Sequence, residues 1–245
     1  MAEPVEEEVQ IEQREQVRPA ERSASLFVQF LAFRLDPFWR RLPEEDRRQG
    51  RREFAAEVHR EEARLQTYAY SGLGIKMGLD LLLWRNASSV DVLQESVGRM
   101  LLTGFGRYLD VSHSLLGLIR PSTYVKRANW QEQAIYSSQR SRYLVVYPFS
   151  KTPEWYLIQP EERRAMMKEH IQVGHRYPSV RQVLAYSFGL DDQEFIVAYE
   201  MDELGEFEDL VRALRETEAR RFTLRDTPIL TCIHHPLEEA LALLG

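Results

Sequence analysis

At 245 residues the chain has room for one large domain or two of ordinary size, and 44% hydrophobic with 29% charged residues is the balance of a globular protein, not a disordered one. A net charge of −6 argues against a nucleic-acid partner, which asks for a basic face, and no apolar run approaches the ~20 residues of a membrane span. The one cysteine, Cys232, excludes an intrachain disulfide framework and suits a reducing, cytoplasmic setting.

Residues 1–24 are rich in glutamate and lack the basic and apolar regions of a leader, so they are expected to form an acidic disordered tail. Residues 25–34 are apolar and aromatic enough for a strand, and residues 43–63 carry a helical pattern entered at a proline. Residues 67–73 and 79–85 read as two strands, Ser88 or Ser89 can cap a helix running to 101, and 106–118 give a last strand. Residues 119–141 show no periodicity and serve as a linker. The same order then returns: a strand at 142–149, a helix at 160–173, strands at 182–188 and 193–199 about Gly189-Leu190-Asp191-Asp192, a helix at 204–215 and a strand at 228–233. Two βαββαβ units, 25–118 and 142–245, predict an α+β fold of duplicated ferredoxin-like type, with antiparallel sheets facing one another and helices outside.

The duplication is written in the residues. Residues 37–71 recur without a gap at 153–187, matching among others Trp39 to Trp155, His59 to His175, Gln66 to Gln182 and Tyr70 to Tyr186. Solenoid periods are shorter than this spacing. The informative positions are those where the halves differ. Leu31, Leu35 and Phe54 of the first half face Tyr147, Lys151 and His170 of the second. Three apolar side chains have become a phenol, an ammonium and an imidazole, which places a site in the second half only.

His170 has Met166, Met167 and Val173 as helical neighbours. A histidine in such a setting is commonly a core residue, but Phe54 fills the equivalent place without a nitrogen. A neutral imidazole in an apolar pocket is a fit axial ligand for haem iron. His59 and His175 match each other and are expected to be structural, while His234 and His235 point to opposite faces of a strand end and cannot easily share a metal. Strand alternation sets Tyr147, Phe149 and Lys151 on one face. No zinc spacing, phosphate loop, dinucleotide fingerprint or nucleophile elbow occurs.

Tyr147-Pro148-Phe149-Ser150-Lys151 with Trp155, His170 after Met166-Met167-Lys168-Glu169, and Gln182 seven residues before Gly189 together resemble the chlorite dismutase-like haem proteins, above all their coproheme decarboxylase branch. The resemblance implies a ring-shaped homopentamer binding porphyrin in the second half, with His170 as iron ligand and Trp155, Met167 and Thr227 around the macrocycle. It implies that hydrogen peroxide oxidises two propionates of iron-coproporphyrin III (coproheme) to vinyl groups, giving haem b and CO2, with Tyr147 as redox phenol, Lys151 on a propionate and Gln182 near bound peroxide. Gln182 stands where chlorite-degrading members carry an arginine, and an amide cannot supply that charge. The family's propionate-binding arginine is replaced by Gln133, leaving Arg140, Arg220 or Arg221 to serve. The carboxylate behind the histidine would be Glu216 or Glu218. The rival expectations are a chlorite dismutase or peroxidase on the same fold, and a haem carrier or sensor that needs His170 but not Tyr147.

Overall fold

A computed structural model describes residues 26–121, 124 and 130–245, apart from the side chains of Trp130 and Gln133. The tail at 1–24 and part of the linker lie outside the described residues. The first half runs β1 (Leu26–Leu35), α1 (Glu44–His59), β2 (Leu65–Ser71), β3 (Leu81–Ala87), α2 (Val90–Leu102) and β4 (Leu109–Ile119). The second runs β5 (Tyr143–Lys151), α3 (Pro153–Leu157), α4 (Pro160–Gly174), β6 (Arg181–Tyr186), β7 (Phe195–Met201), α5 (Leu204–Arg215), β8 (Thr223–Arg225), β9 (Leu230–His235) and α6 (Leu237–Ala242). The helices begin where backbone chemistry favours it. Ser89 Oγ accepts the Asp91 amide at 3.1 Å at the head of α2, and Pro160 with Glu161 and Glu162 opens α4.

Strand order is β4-β1-β3-β2 in the first half and β6-β7-β5-β9 in the second, every pairing antiparallel. This is the duplicated ferredoxin-like fold. The two sheets do more than face one another: β2 pairs with β9, and β4 meets β6 through Leu118 and Tyr186, so the eight long strands close into a barrel. Closure removes the free edges that sheet twist would otherwise leave exposed. At the seam a Cβ on Gly117 would come within 2.9 Å of the Ala185 Cβ, so only glycine permits the approach. Alternate residues of all eight strands, among them Phe30, Tyr70, Trp84, Leu115, Val146, Ala185, Ile196 and Leu230, fill the interior.

The segment that follows each half lies over the other. Ala240, Leu241 and Leu244, in and after α6, complete the outer core of the first half beside Leu31, Trp39 and Phe54. The 3-10 turn Trp130–Tyr136 packs on β6. His59 Nε2 meets Glu238 of α6 at 2.9 Å, and His175 Nε2 lies 3.8 Å from Glu132 of that turn. Both matched histidines thus hold a carboxylate from the segment trailing the opposite half, a structural role. One polar network is sunk among the apolar residues: Glu200 takes Tyr70 Oη at 3.1 Å and lies 3.3 Å from both Arg140 and Arg181.

Candidate functional site

The outer faces of the two half-barrels are packed very differently. In the first half α1 buries Gly50, Phe54, Ala55 and Val58 against the sheet, and a Cβ on Gly50 would lie 2.8 Å from the Phe105 amide nitrogen. The matching residues of α4 are Met166, His170, Ile171 and Gly174, all half-buried, and only Val173 of that helix is buried. A methionine where the first half tolerates only glycine means that α4 cannot sit as close to its own loop. A cleft opens there, lined by His170, Ile171, Val180, Gln182, Tyr199 and Leu214, among others.

His170 is the roof of this cleft. Burial, with the Lys151 ammonium nearby, pushes its pKa down to about 4, so the ring is neutral at ordinary pH. Its Nδ1 lies 3.5 Å from Thr217 Oγ1, a long contact, and that hydroxyl donates its own hydrogen to Leu214 O at 2.8 Å. Thr217 can therefore only accept from Nδ1–H, which leaves the lone pair on Nε2. Among the described residues none engages Nε2.

The floor is the outer face of β5, β7 and β6. Val145, Tyr147 and Phe149 point to this side and Leu144 and Val146 to the barrel interior, as alternation requires. Burial raises the pKa of Tyr147, and an interaction with the Tyr199 hydroxyl partly offsets it. At the rim β8 pairs with the end of β5, setting Lys151 opposite Thr223. Lys151 Nζ donates to Ala219 O at 3.1 Å and Thr223 Oγ1 at 3.4 Å, and stands 4.6 Å above the Trp155 ring. Burial, reinforced by Arg220 and opposed by Glu194, lowers its pKa to about 8. Asp226 lies 2.7 Å from Arg215 and 3.4 Å from Arg220, and all three act on Tyr147. The rim is a group of cations with two carboxylates, Asp226 and Glu194, among them.

His170 and Gln182 line the cleft itself, Tyr147 lies beside it against Tyr199, and Lys151, over the Trp155 ring, is near enough to act on His170. Met167 is half-buried on α4 beside His170 but does not line the cleft, and Thr227 is exposed next to Asp226. Three expectations need correction. Arg140 is not available as a clamp: its side chain is 1% exposed and held by Glu200. Arg221 points outward to Glu218, which leaves Arg220. The group behind the histidine is Thr217, not Glu216 or Glu218, both of which are exposed. Gln182 has no true counterpart in Gln66, because Ala69 of β2 faces outward while its match Ala185 faces the barrel interior. A one-residue difference before the strand turns every side chain over, and it frees Gln182 for the cleft. The Gln133 side chain lies outside the described residues.

Sequence reading passed over Tyr199, Thr217, Arg215 and Asp226. Tyr199 sits in an apolar run that reads as core, and the other three come together only through the packing of α5 against the loop before β9.

A closed barrel of two ferredoxin-like halves, with an imidazole-roofed cleft on the second half at the place where the first half buries Phe54, is of the duplicated ferredoxin-like class. The chlorite dismutase family model matches residues 20–235, and the chain belongs to that family. It is 35% identical over 174 residues to the coproheme decarboxylase of Mycolicibacterium smegmatis, covering 71% of this chain and 74% of that one. It is 24% identical over 228 residues to the chlorite dismutase of Ideonella dechloratans, covering 90% and 80%. The chlorite dismutase of Candidatus Nitrospira defluvii in complex with imidazole superposes with a TM-score of 0.82 at 29% identity, over 89% of this chain and 94% of that one.

Proposed function

We propose that this chain is a coproheme decarboxylase, a haem-dependent oxidoreductase that converts two propionates of coproheme to vinyl groups with hydrogen peroxide. The observation that carries the reading is the exchange of a buried Phe54 for His170, an imidazole that lines a cleft at the place where the first half has filled core. The cleft residues fit an iron porphyrin: a neutral imidazole to bind iron, apolar Ile171, Val180 and Leu214 to exclude water, and cations at one rim for carboxylates. When bound, the iron supplies the reduction of peroxide. Each propionate then balances as R–CH2CH2–COO⁻ + H2O2 + H⁺ → R–CH=CH2 + CO2 + 2 H2O.

Within that reaction His170 holds the iron, Lys151 and Arg220 orient a propionate, and Tyr147 passes single electrons from the side chain. Gln182 offers an amide donor on the cleft floor. Its neutrality disfavours chlorite dismutation, which builds negative charge that an amide stabilises poorly. The M. smegmatis relative supports the decarboxylase branch over the chlorite-degrading one. A homopentamer and a cytoplasmic setting belong to the same reading.

Mass spectrometry of the porphyrin after peroxide addition tests the proposal: two successive losses of CO2 with two hydrogens are expected, and an intact tetrapropionate would refute it. Tyr147→Phe separates enzyme from carrier. It keeps the ring and removes one hydrogen-bonding group, so coproheme affinity should change by no more than ~1.5 kcal/mol while vinyl formation nearly stops. A variant converting coproheme at the native rate would remove the radical role.

A further inference from the structure

Lys151 sits where β5 changes partner. The ladder with β7 ends at Phe149 opposite Phe195, and from Ser150 onward β5 pairs with β8 instead, with a register shift between Ser150 and Lys151. At that change the Lys151 amide has a side chain for its acceptor: Glu194 Oε2 takes it at 2.7 Å. The same oxygen accepts the hydroxyl of Tyr156, on α3, at 2.6 Å. One carboxylate, on the residue before β7, thus holds both the end of β5 and the short helix that follows it.

The duplication separates what is structural here from what is not. In the first half Leu35, the match of Lys151, gives its amide to Asp80 Oδ2 at 2.7 Å, and Asp80 directly precedes β3 as Glu194 precedes β7. Pinning the strand end is therefore a feature of the fold, needed by an apolar residue as much as by a lysine. The second half adds a charge that has to be answered. Among the described residues Lys151 Nζ hydrogen-bonds only to neutral acceptors, Ala219 O and Thr223 Oγ1. Arg220, in the 3-10 turn Glu218–Phe222, is a like charge that acts against the ammonium, and His170 on α4 is the titratable ring on its other side. Asp226 is already engaged by Arg215 and Arg220. The carboxylate left to Lys151 is Glu194, whose oxygen lies against the lysine's own backbone, one side-chain length from its ammonium.

We propose that Glu194 is a positioning residue for Lys151: it fixes the backbone from which the side chain reaches the rim, and it supplies the counter-charge that keeps the ammonium ready for a carboxylate of the ligand. That this ligand carboxylate is a propionate rests on the decarboxylase reading; that Glu194 serves Lys151 does not. A partly desolvated ammonium beside a guanidinium gives up its proton easily, and a carboxylate nearby opposes the loss. Only the charged form attracts an anionic substituent and forms a charge-assisted hydrogen bond with it.

The test is Glu194→Gln, whose amide oxygen can accept both hydrogen bonds but carries no charge. It is set beside Glu194→Asp, because the first half shows an aspartate reaching the matching amide. In the apoprotein, NMR of isotope-labelled lysine follows the side-chain titrations of Lys76, Lys126, Lys151 and Lys168, the lysines of the chain, with Lys151→Arg identifying the signal. Lys151 should titrate about half a pH unit lower in Glu194→Gln and close to its native value in Glu194→Asp, while the other lysines stay where they are. Coproheme affinity, followed against pH, should begin its decline correspondingly lower in Glu194→Gln alone. A role confined to pinning the strand would leave the Lys151 titration of Glu194→Gln native, and that result overturns the proposal. An equal shift in Glu194→Asp would overturn it too, since the charge would then not be the cause. Absence of vinyl product from the native protein, with the Lys151 titration shifted as expected, would instead refute the decarboxylase reading and leave the pairing of Glu194 with Lys151 standing.

Discussion

A single pair of matched positions separates a core residue from the proposed iron ligand. Phe54 is fully buried, edge-on to Phe105 at 5.2 Å, and Phe54→Ala should cost about 3–5 kcal/mol as a core truncation. His170→Ala removes a half-buried ring over a cleft, so it should cost less in denaturant unfolding yet abolish the five-coordinate ferric spectrum of the porphyrin complex. The reverse ranking of stabilities would contradict the assigned packing. Lys151 makes a second residue-scale prediction. With a pKa of about 8 it is charged below that pH and neutral above, and only the ammonium attracts a carboxylate. Coproheme affinity should therefore fall as pH rises through about 8, the decline displaced upward to the extent that the bound propionate stabilises the charge. In Lys151→Arg, whose guanidinium stays protonated, a titration of affinity against pH should be flat over the same range. A native protein with pH-independent affinity there would exclude Lys151 from propionate binding.

Elements differ in how legible they were. Helices α1, α4 and α5 declare themselves through an entering proline or a sustained apolar face, and the strand order follows from them. α3, β8 and α6 have 5, 3 and 6 residues, too few for any period to register. Yet β8 aligns Lys151 with Thr223, and α6 closes the first half's core. The histidine, phenol and lysine of the candidate site stand out in the sequence because the first half supplies an apolar control for each. Tyr199 and Thr217 were not, since no such contrast marks them. The docking of α6 has a pH signature. Glu238 first and Glu62 second raise the pKa of His59 above its ordinary 6.5, so the ion pair's contribution is complete below that value and is lost as pH rises through the higher folded pKa. His59 is nearly half exposed, so the effect is modest. Hydrogen exchange in α6, corrected for intrinsic rates, should speed up on passing from about pH 6 to about pH 9, and His59→Gln should abolish the difference. Equal pH dependence in both proteins would mean that α6 is held by its leucines alone.

For the whole molecule, the polar network around Glu200 joins segments far apart in sequence: Tyr70 of β2, Ser141 before β5, Arg181 of β6 and Arg140, which also lies 4.4 Å from the Tyr68 ring and 4.6 Å from that of Trp84. Desolvation raises the pKa of Glu200 despite its two guanidinium neighbours, and its carboxylate is the counter-charge beside the buried Arg140. Glu200→Gln would leave that guanidinium buried without a counter-charge. A loss of about 3–5 kcal/mol is expected, readable as a lowered urea midpoint with an unchanged m-value. A near-neutral result would show that the aromatic faces over Arg140 suffice.

The covering of each half by the segment that trails the other carries a consequence for biosynthesis. On the ribosome, β1 to β4 emerge early, but Leu241 and Leu244, which seal their outer face, are translated after every strand of the barrel. The first half must wait, its apolar surface open, while the cleft-bearing half is made and closed against it. Order of synthesis and order of completion are therefore inverted. A nascent chain stalled before α6 would hold its ligand cleft nearly finished beside an unsealed partner, and that is the species chaperones would meet.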